Sequence, residues 1–523
     1  MLKKLWVFAA VATLTLVWTL AAQSPAQKLI DDSLKAMGLT EVKTLTIWGE
    51  GGDGAVGQQR NQNGDYWRWY NNTYFSRGFD FDAKAFRTKR ARGEGANPPG
   101  GGNGTTTPAP VQQQDQITQV NNFNAEVETA MTPIGFLKMA MTHETKLATK
   151  LDGGKSWKVL SWEMTGGQGK ATYPTTLSGY IDAAGLVQKV EVLISQDFLG
   201  DIKWTATFSD WKDFGGVKFP SKIVQRQWTP KIFELNVSNV RVNDPVNLTP
   251  AAAAAKGGAG GGPGGGAGAA KGGAPGGAGA AKGGPGGPGA AKGGAAAPAA
   301  LSEDLGGGFW LITGGYATIV ADFKDYVMLV ELGSNDDRTA QVLTEAKRLV
   351  PNKPIRSVIN THFHFDHTGG LRAAVAEGIT IITHQGNKGL FEKVMANPHK
   401  LLPDLLEAKT PRPLAKVQYV GDKAVFTDGT HTIETYRLEG STHNDAMLLV
   451  WLPQQKILLN GDEFNVNNTA PTAPVDNPNG YQVNLLAQIE RLKLDVQRHI
   501  PVHLPGDGRK VTAQELRYMA GVQ

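Results

Sequence analysis

Thr361-His-Phe-His-Phe-Asp-His-Thr-Gly-Gly370 is the stretch on which the reading of this chain turns. It sets His362, His364, Asp366 and His367 within six residues. Just upstream, Ile355-Arg-Ser-Val-Ile359 is a short β-branched run that reads as a buried strand. Just downstream, Gly369 and Gly370 open an apolar helical pattern. The four polar side chains therefore sit on a loop at the carboxyl end of a strand, where α/β sheets present their sites. So short a loop offers few buried partners for three imidazoles and a carboxylate. A divalent metal satisfies all four, because neutral imidazole and carboxylate both suit zinc.

Nine of the ten histidines fall after position 361, so further ligands are sought downstream. His443 lies in the polar turn Gly440-Ser-Thr-His-Asn-Asp445. Asp462 follows Lys456-Ile-Leu-Leu-Asn-Gly461 at another strand end. His503 ends Ile500-Pro-Val-His503. From about 301 to 523 strands and helices alternate. Expected strands are 309–312, 317–320, 326–330, 379–383, 446–452 and 456–459, and expected helices are 339–349 and 481–496. His384 reads as a hydrogen-bonded core histidine. His399, His431 and His499 read as surface or turn residues, and Asp445 as an orienting partner for His443.

With these residues in place, residues 301–523 resemble the metallo-β-lactamase superfamily. The His-x-His-x-Asp-His motif is complete at 362–367. His443, Gly461-Asp462 and Pro501-Val-His503 match the later motifs in order and spacing. The resemblance implies a four-layer αββα sandwich with two metals, most simply Zn2+, iron and manganese being the alternatives. It implies that His362, His364 and His443 hold one metal, that Asp366, His367 and His503 hold the other, and that Asp462 bridges them. Two such cations about 3.5–4 Å apart would bring a shared water towards hydroxide at neutral pH. Asp366 is then the residue that holds this hydroxide in line. Two features depart from the pattern. The chain has no cysteine, which argues against the β-lactamase subclasses with cysteine at the position of Asp462. Asp507, in Leu504-Pro-Gly-Asp-Gly508, offers a second register for the last ligand, and His503 is preferred because imidazole is the usual ligand.

The rest of the 523 residues cannot share one core with this domain. Residues 1–26 read as a signal peptide: Lys3 and Lys4, then uncharged Leu5–Ala22, then small residues at Ala21, Ala22 and Ala26. A periplasmic or secreted location follows, an uncleaved anchor being the alternative. Without cysteine, a lipoprotein anchor and disulfides are both excluded. Residues 27–248 read as an antiparallel β-rich domain opened by a helix from Lys28 to Met37, with Gly38 as its cap. Pro133–Met141 is a second helix, and residues 93–114 a mobile loop. The opening Ala36-Met-Gly38, the segment Gly179-Tyr-Ile-Asp-Ala-Ala-Gly-Leu-Val-Gln-Lys-Val-Glu191 and the segment Phe208-Ser-Asp-Trp-Lys-Asp-Phe-Gly-Gly-Val-Lys-Phe-Pro220 resemble the half-barrel domains of the LolA-like lipoprotein carriers. That resemblance implies a lipid or envelope partner.

Residues 249–300 are almost wholly Ala, Gly, Pro and Lys and read as a disordered linker. The net charge of +5 comes from the two lysines of the leader and the four of the linker, which leaves the remainder close to neutral. No basic patch with interleaved aromatics suggests nucleic acid. The chain is thus expected to be an exported two-zinc hydrolase of a small-molecule lactone, lactam, thioester or phosphoester. A mononuclear iron thiol dioxygenase or thioesterase of the same fold is one alternative. An envelope-binding module whose metal domain does not turn over is the other. If 249–300 is a linker, trypsin acting on the native protein should cut at Lys256, Lys271, Lys282 or Lys292 and release two stable fragments. Resistance of all four sites would contradict the division.

Overall fold

A computed structural model describes residues 23–54, 57–62, 69–94, 111–168, 171–250, 301–466 and 469–523. The expected linker falls almost entirely outside these residues, as does most of the expected leader. Ser24 already caps a helix, Pro25–Ala36, its side chain accepting from Gln27 N at 3.1 Å. Ala26 is buried in that helix. Among the described residues, no helix is long and apolar enough to cross a membrane.

The N-terminal half is one eleven-stranded antiparallel sheet. Its strands follow chain order except at one seam, where the first strand, Thr44–Gly54, pairs with the last, Lys231–Val242. Gln112–Gln119 and Lys146–Asp152 form the two edges. Period-two alternation places Val190, Val192 and Ile194 on one face, where they are buried. The helices Pro25–Ala36, Phe123–Ala130 and Pro133–Ala140 cover that face with Ile30, Leu34, Val127, Ile134 and Leu137. Phe136 stacks on Trp162 at 5.1 Å. Gly179 is required opposite it, since a Cβ there would lie 2.1 Å from the Phe136 ring.

The C-terminal half has two sheets. Seven strands run Leu301–Gly306, Phe309–Thr313, Thr318–Phe323, Tyr326–Val330, Ile355–Ile359, Thr380–His384 and Val417–Val420, antiparallel at first and parallel from Tyr326–Val330 onward. Six strands run Lys423–Thr427, Thr432–Arg437, Leu448–Leu452, Ile457–Leu459, Arg498–Ile500 and Val511–Thr512. Met328, Val330, Ile359 and Ile382 of the first sheet meet Leu448, Val450, Leu459 and Ile500 of the second. The alternate residues Leu329, Val358 and Ile381 pack against Val342, Leu371 and Phe391 of the helices outside. On the far side, Leu449, Trp451 and Leu458 pack against Leu485, Ile489 and Leu516. The layers are helix, sheet, sheet, helix, as the sequence led us to expect.

Most strands lie within two or three residues of their expected places, and the differences have local causes. The helix expected from 339 starts at Asp336, because Asn335 caps it by accepting from Arg338 N at 2.9 Å. The helix expected to reach Val496 is Gly480–Leu492, which ends where Lys493 turns left-handed at φ 54°. The helix Phe123–Ala130 was not specified; of the expected loop 93–114, residues 93–94 and 112–114 belong to strands, and 95–110 lie outside the described residues. His399 and His499 correct the expectation of surface positions, since both are buried. His399 faces Asp404 at 3.1 Å, and His499 lies in a strand beside Phe464. His384 is hydrogen-bonded and buried, and His431 occupies a turn against Asp428.

The two halves share a continuous hydrophobic core. Across it Phe198, fully buried, has its ring centroid 5.6 Å from that of Phe365 and 5.9 Å from that of Phe391. Gln196 Oε1 accepts from the backbone of both Phe198 and Leu199, each at 3.0 Å, and so fixes the turn. Beside it Asp201 N donates to Pro398 O at 2.8 Å, and the Asp201 carboxylate accepts from Lys400 N at 2.7 Å. Truncating a buried phenylalanine typically costs about 3–5 kcal/mol. Phe198→Ala should lower the unfolding free energy by about 3 kcal/mol or more in urea titration, and a loss below about 1 kcal/mol would show that the halves do not pack through it.

Candidate metal centre

Each residue of the centre stands where a strand of the inner sheets runs out. Ile355–Ile359 leads to Thr361, His362 and His364. His364 then begins the short helix Phe365–Thr368, which carries Asp366 and His367. Thr432–Arg437 leads to the turn holding His443, Ile457–Leu459 to Asp462, and Arg498–Ile500 to His503. Gly461 carries the chain past the site at φ 51°, 3.2 Å from Thr361 Oγ1 measured from where a Cβ would be.

These side chains form two groups that share one member. His362, His364, His443 and Asp462 each offer a ligand atom within 4.8 Å of the others, and so do Asp366, His367, Asp462 and His503. The Asp462 carboxylate divides between them. Its Oδ2 lies 3.4 Å from His443 Nε2 and 4.0 Å from His362 Nε2. Its Oδ1 lies 3.0 Å from His367 Nε2 and 3.1 Å from His503 Nε2. Asp366 Oδ2 completes the second group, 3.3 Å from His503 Nε2 and 3.6 Å from His367 Nε2. The sequence-derived candidates are all brought together. Asp507 is not among them: it is exposed and pairs with Arg509 at 2.9 Å. Asp445 turns to Arg60, at 2.6 Å, and not to His443.

Three ring nitrogens facing inward, His362 Nε2, His364 Nδ1 and His443 Nε2, are buried with no hydrogen-bond partner. Buried polar atoms normally find partners, so three orphans in one group fit a bound cation. On His362, His364 and His367 the opposite nitrogen is held. His362 Nδ1 lies 3.1 Å from Thr361 Oγ1, and His364 Nε2 donates to Gln59 O at 2.8 Å. His367 Nδ1 lies 3.1 Å from Glu331 Oε2, while Glu331 Oε1 accepts from Thr361 N at 2.6 Å. Such partners fix the tautomer and aim the ligating atom.

The electrostatics differ between the groups. Burial, reinforced by His367 and His364, holds His362 well below its ordinary pKa, and burial with His443 brings His364 down to about 3. These rings are neutral and ready to ligate. Burial also works against charge on His503, yet Asp462 and Asp366 outweigh it and push His503 up to about 10. Burial is likewise outweighed at His367, which Asp462, Asp366 and Glu331 hold well above its ordinary value. The second group thus attracts positive charge, and a cation entering it would displace protons.

Sequence reading missed Glu331, Tyr316 and Gln59. Glu331 is fully buried in the left-handed region at φ 63°, an uncommon conformation for a residue with a side chain. An acid directly after the buried run Tyr326–Val330 was the available signal. The Tyr316 ring packs edge-on to His503 at 4.9 Å and to His367 at 5.8 Å.

A family model described as the metallo-beta-lactamase superfamily matches residues 311–506. A linear primary-alkylsulfatase from Pseudomonas sp. (strain ATCC 19151) is 37% identical over 51 residues, which is 10% of this chain and 10% of that protein. Similar solved structures include a metallo-beta-lactamase from Pontibacter korlensis, 18% identical, covering 42% of this chain and 97% of that one with a TM-score of 0.33. Another, from Hirschia baltica, is 22% identical and covers 42% and 96% with a TM-score of 0.31. Loss of an outer partner typically costs 10–100-fold in metal affinity. Glu331→Gln, which leaves every inward-facing ligand atom in place, should weaken cation binding by roughly that factor in chelator competition. Unchanged affinity would remove Glu331 from the centre.

Proposed function

We propose that this chain, whose C-terminal domain belongs to the metallo-β-lactamase superfamily, is an exported hydrolase that works with two divalent cations, most simply zinc. The single observation that carries this reading is the Asp462 carboxylate, with one oxygen turned to each group of histidines. His362, His364 and His443 would hold one cation, Asp366, His367 and His503 the other, and Asp462 both. When bound, such a pair lowers the pKa of water and polarises the bond to be cut.

The protein's own part is to aim, to neutralise and to limit access. Asp462 and Asp366 together place two negative charges against the cation pair, which reduces its self-repulsion. Access is one-sided. The His362, His364 and His443 side chains are almost fully buried, whereas His503 is 33% and Asp366 26% exposed, so a substrate reaches the centre over that rim. Asp366 has one oxygen towards His503, and the other accepts from Gln58 Nε2 at 3.1 Å. Its role as the residue that steadies the attacking water therefore falls to a carboxylate already oriented by a neighbour.

Two four-residue groups sharing a ligand favour two cations over the single iron of a dioxygenase. The substrate is a small molecule with a hydrolysable ester-like bond: a lactone, lactam, thioester or phosphoester, to which the short alkylsulfatase match adds a sulfate ester. Zinc-loaded full-length protein, assayed against one compound of each class, should hydrolyse at least one and lose that activity to a chelator. Failure on all five would contradict the reading.

Asp462→Asn keeps the shape of the bridging residue and removes its charge. Elemental analysis should then find fewer than two cations per chain, and activity should fall by more than the roughly 10–100-fold typical of losing an outer partner. Two equivalents with full activity would contradict the bridging role.

A further inference from the structure

The loop between the N-terminal strands Thr44–Gly54 and Trp69–Asp80 reaches into the metal centre of the other domain. Its described residues, 57–62, touch that centre or its surroundings at nearly every step. Gly57 O accepts from Phe365 N at 3.2 Å, at the start of the helix carrying Asp366 and His367. Gln58 Nε2 donates to Asp366 Oδ1 at 3.1 Å. Gln59 O accepts from His364 Nε2 at 2.8 Å. Arg60 pairs with Asp445 at 2.6 Å, and Asp445 N donates back to Arg60 O at 3.0 Å, two residues beyond His443. Gln62 Oε1 accepts from Leu390 N at 2.5 Å and anchors the far end.

The contact is built closely. Gly57 has φ +82°, and a Cβ on it would lie 2.3 Å from the Phe365 ring, so this approach is open to glycine alone. Gln59 is buried. A carbonyl can only accept, so the proton of His364 must sit on Nε2. That leaves the lone pair on Nδ1, the buried and unpartnered atom that faces His443 and Asp462. The other two buried histidines of the motif take their outer partners, Thr361 and Glu331, from the C-terminal domain itself. For His364 that partner comes from 305 residues away.

We propose that the N-terminal domain completes the metal centre: its loop 57–62 positions two ligands, His364 through the Gln59 carbonyl and Asp366 through the Gln58 amide, so that cation affinity depends on both domains. This rests on the cluster being a metal centre. Gln58 and Gln59 act here as positioning residues and touch no substrate.

The test uses the full chain stripped of metal and titrated with cobalt(II), followed by visible absorption and by competition with a chelator. Wild-type protein should take up two equivalents. Gln58→Met keeps the side chain's length and removes its donor, and should weaken one equivalent about tenfold while the other is unchanged. Gly57→Ala should displace the whole loop without altering any ligand, weaken both equivalents, and shift the cobalt absorption bands. Thermal unfolding checks that each variant is folded, and Gln58→Met decides the matter if Gly57→Ala is not. If both folded variants bind two equivalents with wild-type affinity and spectrum, the inference is wrong while the metal centre stands. If wild-type protein takes up no cobalt, the metal centre itself is wrong and this inference falls with it.

Discussion

The buried carboxylate of Asp462 is the constraint around which the C-terminal domain is arranged. It is almost fully buried among four histidines, and no lysine or arginine pairs with it among the described residues. A buried charge is costly unless compensated. Here His367 and His503 overcome the effect of burial and hold the Asp462 carboxyl well below its ordinary pKa. In the absence of metal, protons on those rings thus supply the positive charge that cations would otherwise bring. The two sheets meet here because each contributes strand ends to the same point: Ile355–Ile359 from one, Ile457–Leu459 and Arg498–Ile500 from the other.

Around that charge, rigidity is distributed over both domains. Glu331 spans Thr361 and His367, Gln59 holds His364, and the Phe198 turn docks beside the helices that follow the histidine motif. Phe365 is central to this. Its backbone bonds Gly57, its ring meets Phe198, and its neighbours in sequence are His364 and Asp366. Packing between the domains and alignment of the ligands are therefore one structural fact, since a shift of Phe365 moves both.

Much of this was legible in the chain. Short β-branched runs gave the inner strands, because residues buried on both faces leave a plain apolar signature, whereas the αββα layers came from the family resemblance that the histidine motif carries. Asp462 and His503 were legible because each follows such a run, and His443 because it lies in a polar turn next to one. Contacts that join distant segments were not. Nothing local to Gly57-Gln-Gln-Arg60 marks it as the partner of His364, since a backbone carbonyl carries no sequence signal. His399 and His499 were misplaced for a related reason. Their polar type suggests the surface, whereas tertiary packing buries one against Asp404 and the other behind Phe464.

The proposed function requires that two cations share Asp462. Anomalous diffraction at the zinc edge, from crystals of the full-length protein grown with zinc, tests this most directly. It should show two peaks roughly 3.5–4 Å apart, one beside His362, His364 and His443, the other beside Asp366, His367 and His503, with Asp462 between them. A single peak, or two peaks with Asp462 contacting only one, would contradict it.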